Sequence, residues 1–213
     1  MSAAARPGLA GWPVNLLVRG RLVVVAGAGR IAARKIEPLL DLDADVLVVA
    51  PDACEAVVGW ADQGRLALVQ RPFDPSDLDG AWLAVAATDD PSVNDAVFRA
   101  GEARRVWVNA ADDPEHCSFT LMSVVRRADL VVAIGTGGRS PALAAWLKRR
   151  LTEEMGPEYE TLLDLLSEAR EEMRAGGRSS EDAGWARAFE AGIVDLVREG
   201  RVDEAKELLR SCL

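Results

Sequence analysis

Imidazole and phenol side chains are nearly absent from this chain of 213 residues, which has one histidine, one tyrosine and 5% aromatic residues. The tyrosine, Tyr159, is followed by Glu160-Thr161-Leu162-Leu163, so the Tyr-x-x-x-Lys pair of short-chain dehydrogenases is excluded. The histidine stands in Glu115-His116-Cys117, which is no metal-ligand spacing, and reads as a loop residue at a pocket edge. Cys54, Cys117 and Cys212 are odd in number and far apart, which excludes a disulfide framework or a paired-cysteine zinc site and leaves ordinary thiols. Neither a G-x-x-x-x-G-K-[ST] phosphate loop nor a G-x-S-x-G nucleophile elbow occurs. No apolar run reaches membrane-spanning length, and residues 1–18 have no apolar core behind a basic start, so the expected location is the cytoplasm. Positive charge is in deficit, 25 Lys and Arg against 34 Asp and Glu, and the net charge of −9 argues against a general nucleic-acid binder. An anionic ligand would need local cations.

What the chain does have is 49% hydrophobic residues, enough for one well-cored domain and a smaller appendage. Unbroken apolar runs alternate with helical spacing, the signature of a doubly wound parallel sheet of the α/β class. Strands are expected over 22–26, 45–50, 66–70, 82–88 and 106–109. Helices are expected over 30–42, from Pro51, and from Pro91 behind a cap at Asp89 or Asp90. After Asn109 the pattern changes. Two apolar segments, 117–125 and 130–134, flank Arg126-Arg127-Ala128-Asp129 and suit an antiparallel hairpin. Ser140 and Pro141 form an N-cap and N1 pair for a helix through Leu151. The remainder reads as helices over 158–175, 181–198 and 203–212, with 176–180 as a linker and apolar stripes at Leu162, Leu163, Leu165 and Leu166, then Phe189, Ile193 and Leu196, then Leu208 and Leu209, for a core or dimer interface.

The residues Gly27-Ala28-Gly29-Arg30-Ile31-Ala32 fit G-x-G-x-x-G/A after the first strand. In that pattern one glycine permits the turn, a second admits a pyrophosphate to backbone amides, and a small third residue packs helix on strand. A bare glycine turn is the competing reading, and a methyltransferase loop also fits. Asp52, after Pro51 at the tip of the second strand, is the candidate partner for the adenosine ribose. With no arginine directly beside it, NAD is favoured over NADP. Its alternative role is an exposed carboxylate in the first turn of a helix.

Six ordered motifs resemble the family of precorrin-2 dehydrogenases, which includes the N-terminal module of siroheme synthases: VAGAGRIAARK, VLVVAPD, RPFDPSDL, WLAVAATDDPSVN, VNAADDPEHCSF and AIGTGGRSPALA, spread over residues 13–151. Relatives often carry three successive glycines where this loop begins Ala26-Gly27-Ala28-Gly29. The resemblance does not extend to the helical tail after Met155, and the full trifunctional enzyme with its methyltransferase module is not expected. It implies an NAD-binding domain at 1–113, a dimerisation region at 114–151 and a helical domain at 152–213, assembled as a homodimer. It also implies oxidation of precorrin-2 to sirohydrochlorin, in some members with insertion of ferrous iron. The alternatives are a chelatase without dehydrogenase turnover and a non-catalytic NAD-sensing domain.

Carried over position by position, the family's N-x-x-D aspartate falls on Asp112, the expected general base; Asp113 is its neighbour, and either aspartate also suits a turn cap at Pro114. Gly27, Gly29, Arg30, Ile31, Pro51, Asp52, Thr88 and Asn109 are the expected cofactor contacts, with Asp89 and Asn94 beside Thr88 serving either the cofactor or helix capping. Gly137, Gly138, Arg139 and Ser140 are expected to hold the peripheral carboxylates of the tetrapyrrole. Thr136 sits where some members have a serine that is phosphorylated. No resident metal site is expected.

Overall fold

A computed structural model describes residues 11–179, 181 and 184–213. The chain divides into two compact units, 1–121 and 122–213. In the first, five parallel strands, β1 (Leu22–Ala26), β2 (Asp45–Val49), β3 (Ala67–Val69), β4 (Leu83–Ala86) and β5 (Trp107–Ala110), lie in the order β3-β2-β1-β4-β5. Three helices cross between them: α1 (Arg30–Asp41), α2 (Glu55–Asp62) and α3 (Pro91–Arg104). Successive side chains of a strand point to opposite faces, and both faces of β1 are buried. Val23 and Val25 pack with Ile36 and Val57 under α1 and α2, while Val24 and Ala26 pack with Val97 and Val108 under α3. A fully buried valine of this kind contributes about 1.5–3 kcal/mol, which is why the run Leu-Val-Val-Val-Ala is a central strand.

The second unit holds a two-stranded antiparallel sheet, β6 (Ser123–Arg127) and β7 (Leu130–Ile134), and the helices α4 (Pro141–Glu154), α5 (Glu158–Ala175), α6 (Trp185–Glu190), α7 (Ile193–Arg198) and α8 (Val202–Cys212). Leu162, Leu165, Ile193, Val197 and Leu209 form the core of its helical part.

Beyond small shifts at element ends, four features differ from the sequence reading. Pro51 does not open a helix: residues 51–54 bend, and α2 starts at Glu55 behind Cys54. The hairpin starts at Ser123, because Cys117, Ser118 and Phe119 fold back onto β5. Arg126 and Arg127 are strand residues, and the turn is Ala128-Asp129 with Ala128 at φ 46°. The helix expected over 181–198 is two helices, broken at Gly192, whose φ of 87° is left-handed. Residues 182 and 183 of that span, and Ser180 of the linker, lie outside the described residues.

Candidate cofactor and catalytic site

The sheet order reverses between β1 and β4, where the chain leaves the two strands towards opposite faces, and in such sheets ligands bind beyond the carboxyl ends at that point. The loop after β1 is tied down from both sides. The Gly27 amide donates to the Val49 carbonyl at 2.9 Å, and the Ala28 carbonyl accepts from the Cys54 amide at 2.9 Å. Gly27 has φ 105°, and a Cβ there would lie 2.3 Å from the Ala87 carbonyl oxygen, so no side chain fits between the two loops. Gly29 has an ordinary φ of −78°, and a Cβ would meet nothing within 4 Å. It precedes a helix that has neither a side-chain cap nor an acidic residue in its first turn. Beyond the mild preference of an N-cap for glycine, the fold gives no reason for glycine at 29. A ligand approaching the free first-turn amides, with those of exposed Arg30 and Ile31 among them, gives one, and a pyrophosphate fits this donor set.

Pro51 and Asp52 are exposed at the tip of β2, and Asp52 has no side-chain partner among the described residues. Because α2 starts at Glu55, the reading of Asp52 as a helix first-turn carboxylate fails. Thr88 and Asn94 bind one another. The Thr88 amide and hydroxyl lie 3.2 and 2.9 Å from Asn94 Oδ1, and Asn94 Nδ2 donates to the Thr88 carbonyl at 3.1 Å. The cap of α3 is Asp90, which accepts from the Ser92 amide at 2.8 Å and is held below the usual carboxylate range by the Ser92 hydroxyl and amide. Asp89 stays exposed.

Beyond β5, Asp112 is exposed at φ 58° and has no side-chain hydrogen bond among the described residues. A water-poor pocket around it is not formed by the chain as described. Its neighbour is committed: Asp113 Oδ2 lies 2.6 Å from His116 Nδ1, which holds the Asp113 carboxyl below its usual range. His116 Nε2 lies 3.5 Å from Asp95 of α3, and its ring meets Phe98 edge-on. Asn109, expected as a cofactor contact, has both ends of its amide engaged within the chain. It is buried, 6% exposed, with Oδ1 accepting from Lys35 Nζ of α1 at 3.2 Å and Nδ2 donating to the Phe119 carbonyl at 3.1 Å.

Against known families, residues 14–123, just over half of the chain, match the model of putative NAD(P)-binding domains. The chain belongs to this family. The siroheme synthase of Nitrosococcus oceani is 34% identical to this NAD(P)-binding protein over 203 residues, covering 94% of this chain and 43% of that protein. The siroheme synthase of Escherichia coli K12 is 43% identical over 139 residues, 65% of this chain and 30% of that protein. The chain thus spans under half the length of the curated relatives it matches. Among solved structures, SirC, a precorrin-2 dehydrogenase, superposes with a TM-score of 0.70 at 26% identity, covering 95% of this chain and 98% of that one. These findings agree with the family read from the six motifs, and coverage this high carries the similarity past Leu151 into the helical tail, where the motifs had stopped.

In the second unit of this family member, Gly137 and Gly138 are left-handed at φ 59° and 75°, and Arg139 is exposed with no side-chain partner among the described residues. Ser140 is the N-cap of α4, its hydroxyl accepting from the Leu143 amide at 3.2 Å, while Thr136 Oγ1 accepts from the Ser140 amide at 3.3 Å. Both hydroxyls thus build the loop, and Arg139 is its unengaged cation. Two participants escaped the sequence reading, Lys35 and Cys117. For Lys35 a signal existed: it lies on α1 next to buried Ile36 and is itself half-buried. A half-buried lysine beside the inward stripe of Ala32, Ile36 and Leu40 has an internal acceptor within reach.

Proposed function

We propose that this protein oxidises precorrin-2 to sirohydrochlorin with NAD as acceptor, as a step in siroheme formation. The observation that carries the reading is Gly29, a glycine with ordinary backbone angles and open space before an uncapped helix, in a chain similar over nearly its whole length to a precorrin-2 dehydrogenase. The amides of Arg30 and Ile31 hold the pyrophosphate, and Asp52 accepts from the adenosine ribose hydroxyls. Arg71, just past the neighbouring strand β3, is committed to Asp77 and the Pro72 carbonyl, which supports NAD over its phosphorylated form. When bound, the nicotinamide supplies the hydride acceptor. Oxidation also releases a proton, and Asp112 takes it. Arg139 and the amides of Gly137 and Gly138 bind substrate carboxylates. The protein acts as a homodimer, supported by Met122, Val131, Leu143 and Trp146, large apolar side chains left exposed on β6, β7, α4 and their approaches.

An anaerobic assay with precorrin-2 tests this reading. NAD-dependent formation of sirohydrochlorin is expected, with NADP a poorer acceptor. No turnover by a protein that still binds NAD would sink it in favour of a sensing domain, and iron-dependent consumption of sirohydrochlorin without NAD would favour a chelatase.

A further inference from the structure

Residues 109–119 leave β5 and return to it. The two ends are closed by the Val108 amide donating to Ser118 Oγ at 2.7 Å, the Ser118 amide donating to the Val108 carbonyl at 2.8 Å, and Asn109 Nδ2 donating to the Phe119 carbonyl. The interior is filled by the Cys117 sulfur, which accepts from the Ala110 amide at 3.2 Å and lies 3.3 Å from the Ala110 carbonyl and 3.2 Å from the Asp113 carbonyl. Asn109 Nδ2 stands 3.6 Å from the same sulfur. A compact loop closed at its base and packed by its own side chains holds its tip still, and the tip here is Asp112, in a left-handed conformation that aspartate tolerates better than most residues. The base of the loop is in turn joined to α1, the helix behind the glycine turn, through Lys35.

We propose that Asn109 is a positioning residue for Asp112 and not a cofactor ligand: one buried amide locks the loop that carries the base to the helix that carries the cofactor-binding turn. The inference rests on Asp112 being the base. Its chemistry is geometric. Misplacing a reacting group by about 1 Å costs up to about 100-fold in rate, while cofactor affinity, set at Gly29 and the first turn of α1, is untouched. Asn109→Asp separates the two contacts. The carboxylate keeps an acceptor for Lys35 but loses the donor, setting an oxygen against the Phe119 carbonyl.

The test measures NAD affinity, kcat and KM for precorrin-2 in the full chain carrying Asn109→Asp, Cys117→Ala, Cys117→Ser or Asp112→Ala. Asn109→Asp and Cys117→Ala are expected to lower kcat at least tenfold with NAD affinity and KM within about threefold of wild type. Cys117→Ser, whose hydroxyl also accepts from the Ala110 amide, is expected to recover most of the loss. A kcat within twofold of wild type in both Asn109→Asp and Cys117→Ala overturns the inference. So does a parallel loss of NAD affinity in Asn109→Asp, which would return Asn109 to the cofactor. If Asn109→Asp fails to fold, Cys117→Ala alone decides, by the same criteria. Asp112→Ala separates the two levels: activity near normal removes the base and this inference together, whereas an inactive Asp112→Ala beside active Asn109→Asp and Cys117→Ala removes the inference alone.

Discussion

A Cβ at Gly27 would press on the Ala87 carbonyl oxygen at 2.3 Å, whereas one at Gly29 would enter empty space, so the two glycines of one motif answer to different demands. Gly27→Ala is expected to cost about 3 kcal/mol of stability, combining left-handed strain with overpacking, read as a lowered denaturant midpoint. Gly29→Val is expected to cost no more than a weakened cap, about 1 kcal/mol, and to weaken NAD binding at least tenfold by titration; equal affinity would make the loop a mere turn. Asp112→Ala is expected to lose about two to four orders of magnitude in kcat, while Asp113→Ala, which unties only His116, stays largely active. The motif was legible because glycine spacing reports a sharp turn. The roles of its two glycines were legible too, but not the contact that enforces the first, since it depends on Ala87, a residue of another strand's loop. The bond from Lys35 to Asn109 was illegible for a related reason: the two stand 74 residues apart, and a half-buried lysine calls for an acceptor without naming it.

Elements were more legible than their edges. The five strands of the first unit are apolar runs that only a sheet covered on both faces buries, and each was found within two residues of its end. The turn was misplaced because Arg126 and Arg127 look like a turn in sequence, and the hairpin start because Cys117 to Phe119 fold back onto β5. In the fold, Arg127 donates from Nε to the Met155 carbonyl at 2.7 Å and from Nη2 to the Thr152 carbonyl at 2.8 Å, capping the end of α4. Gly192→Ala should destabilise the helical part by about 1 kcal/mol, because a left-handed break is lost to a residue that resists it; a raised melting temperature would contradict this. The 3₁₀ turn Pro75–Leu78 gives a pH prediction. Asp74 caps it, and Asp77 closes it by accepting from Arg71 and the Asp74 amide. Hydrogen bonds from Ser76 to Asp74, and from Arg71 to Asp77, hold both carboxyls below their usual range. A lowered folded value stabilises above the ordinary carboxylate pKa of about 4, and that contribution is lost as pH falls towards the lowered value. Denaturant midpoints should therefore drop below about pH 4, and less steeply in Asp77→Asn.

For the whole molecule, light scattering at micromolar concentration should give twice the chain mass of 22.8 kDa, and Val131→Glu should halve it; a wild-type monomer would refute the dimer. The family was legible from six motifs, but not the reach of the similarity across the helical tail, whose apolar stripes suit any small helical core. The strand order also bears on how the chain is made. β1 is the first strand of the sheet to leave the ribosome, yet it ends at the sheet's centre, with β2 on one edge and β4 on the other. From the synthesis of Ala26 until that of Leu83, one edge of a wholly apolar strand stays open. During that interval the nascent chain offers a template for pairing with other chains, so cooling and holdase chaperones should raise the soluble yield by acting before β4 is made.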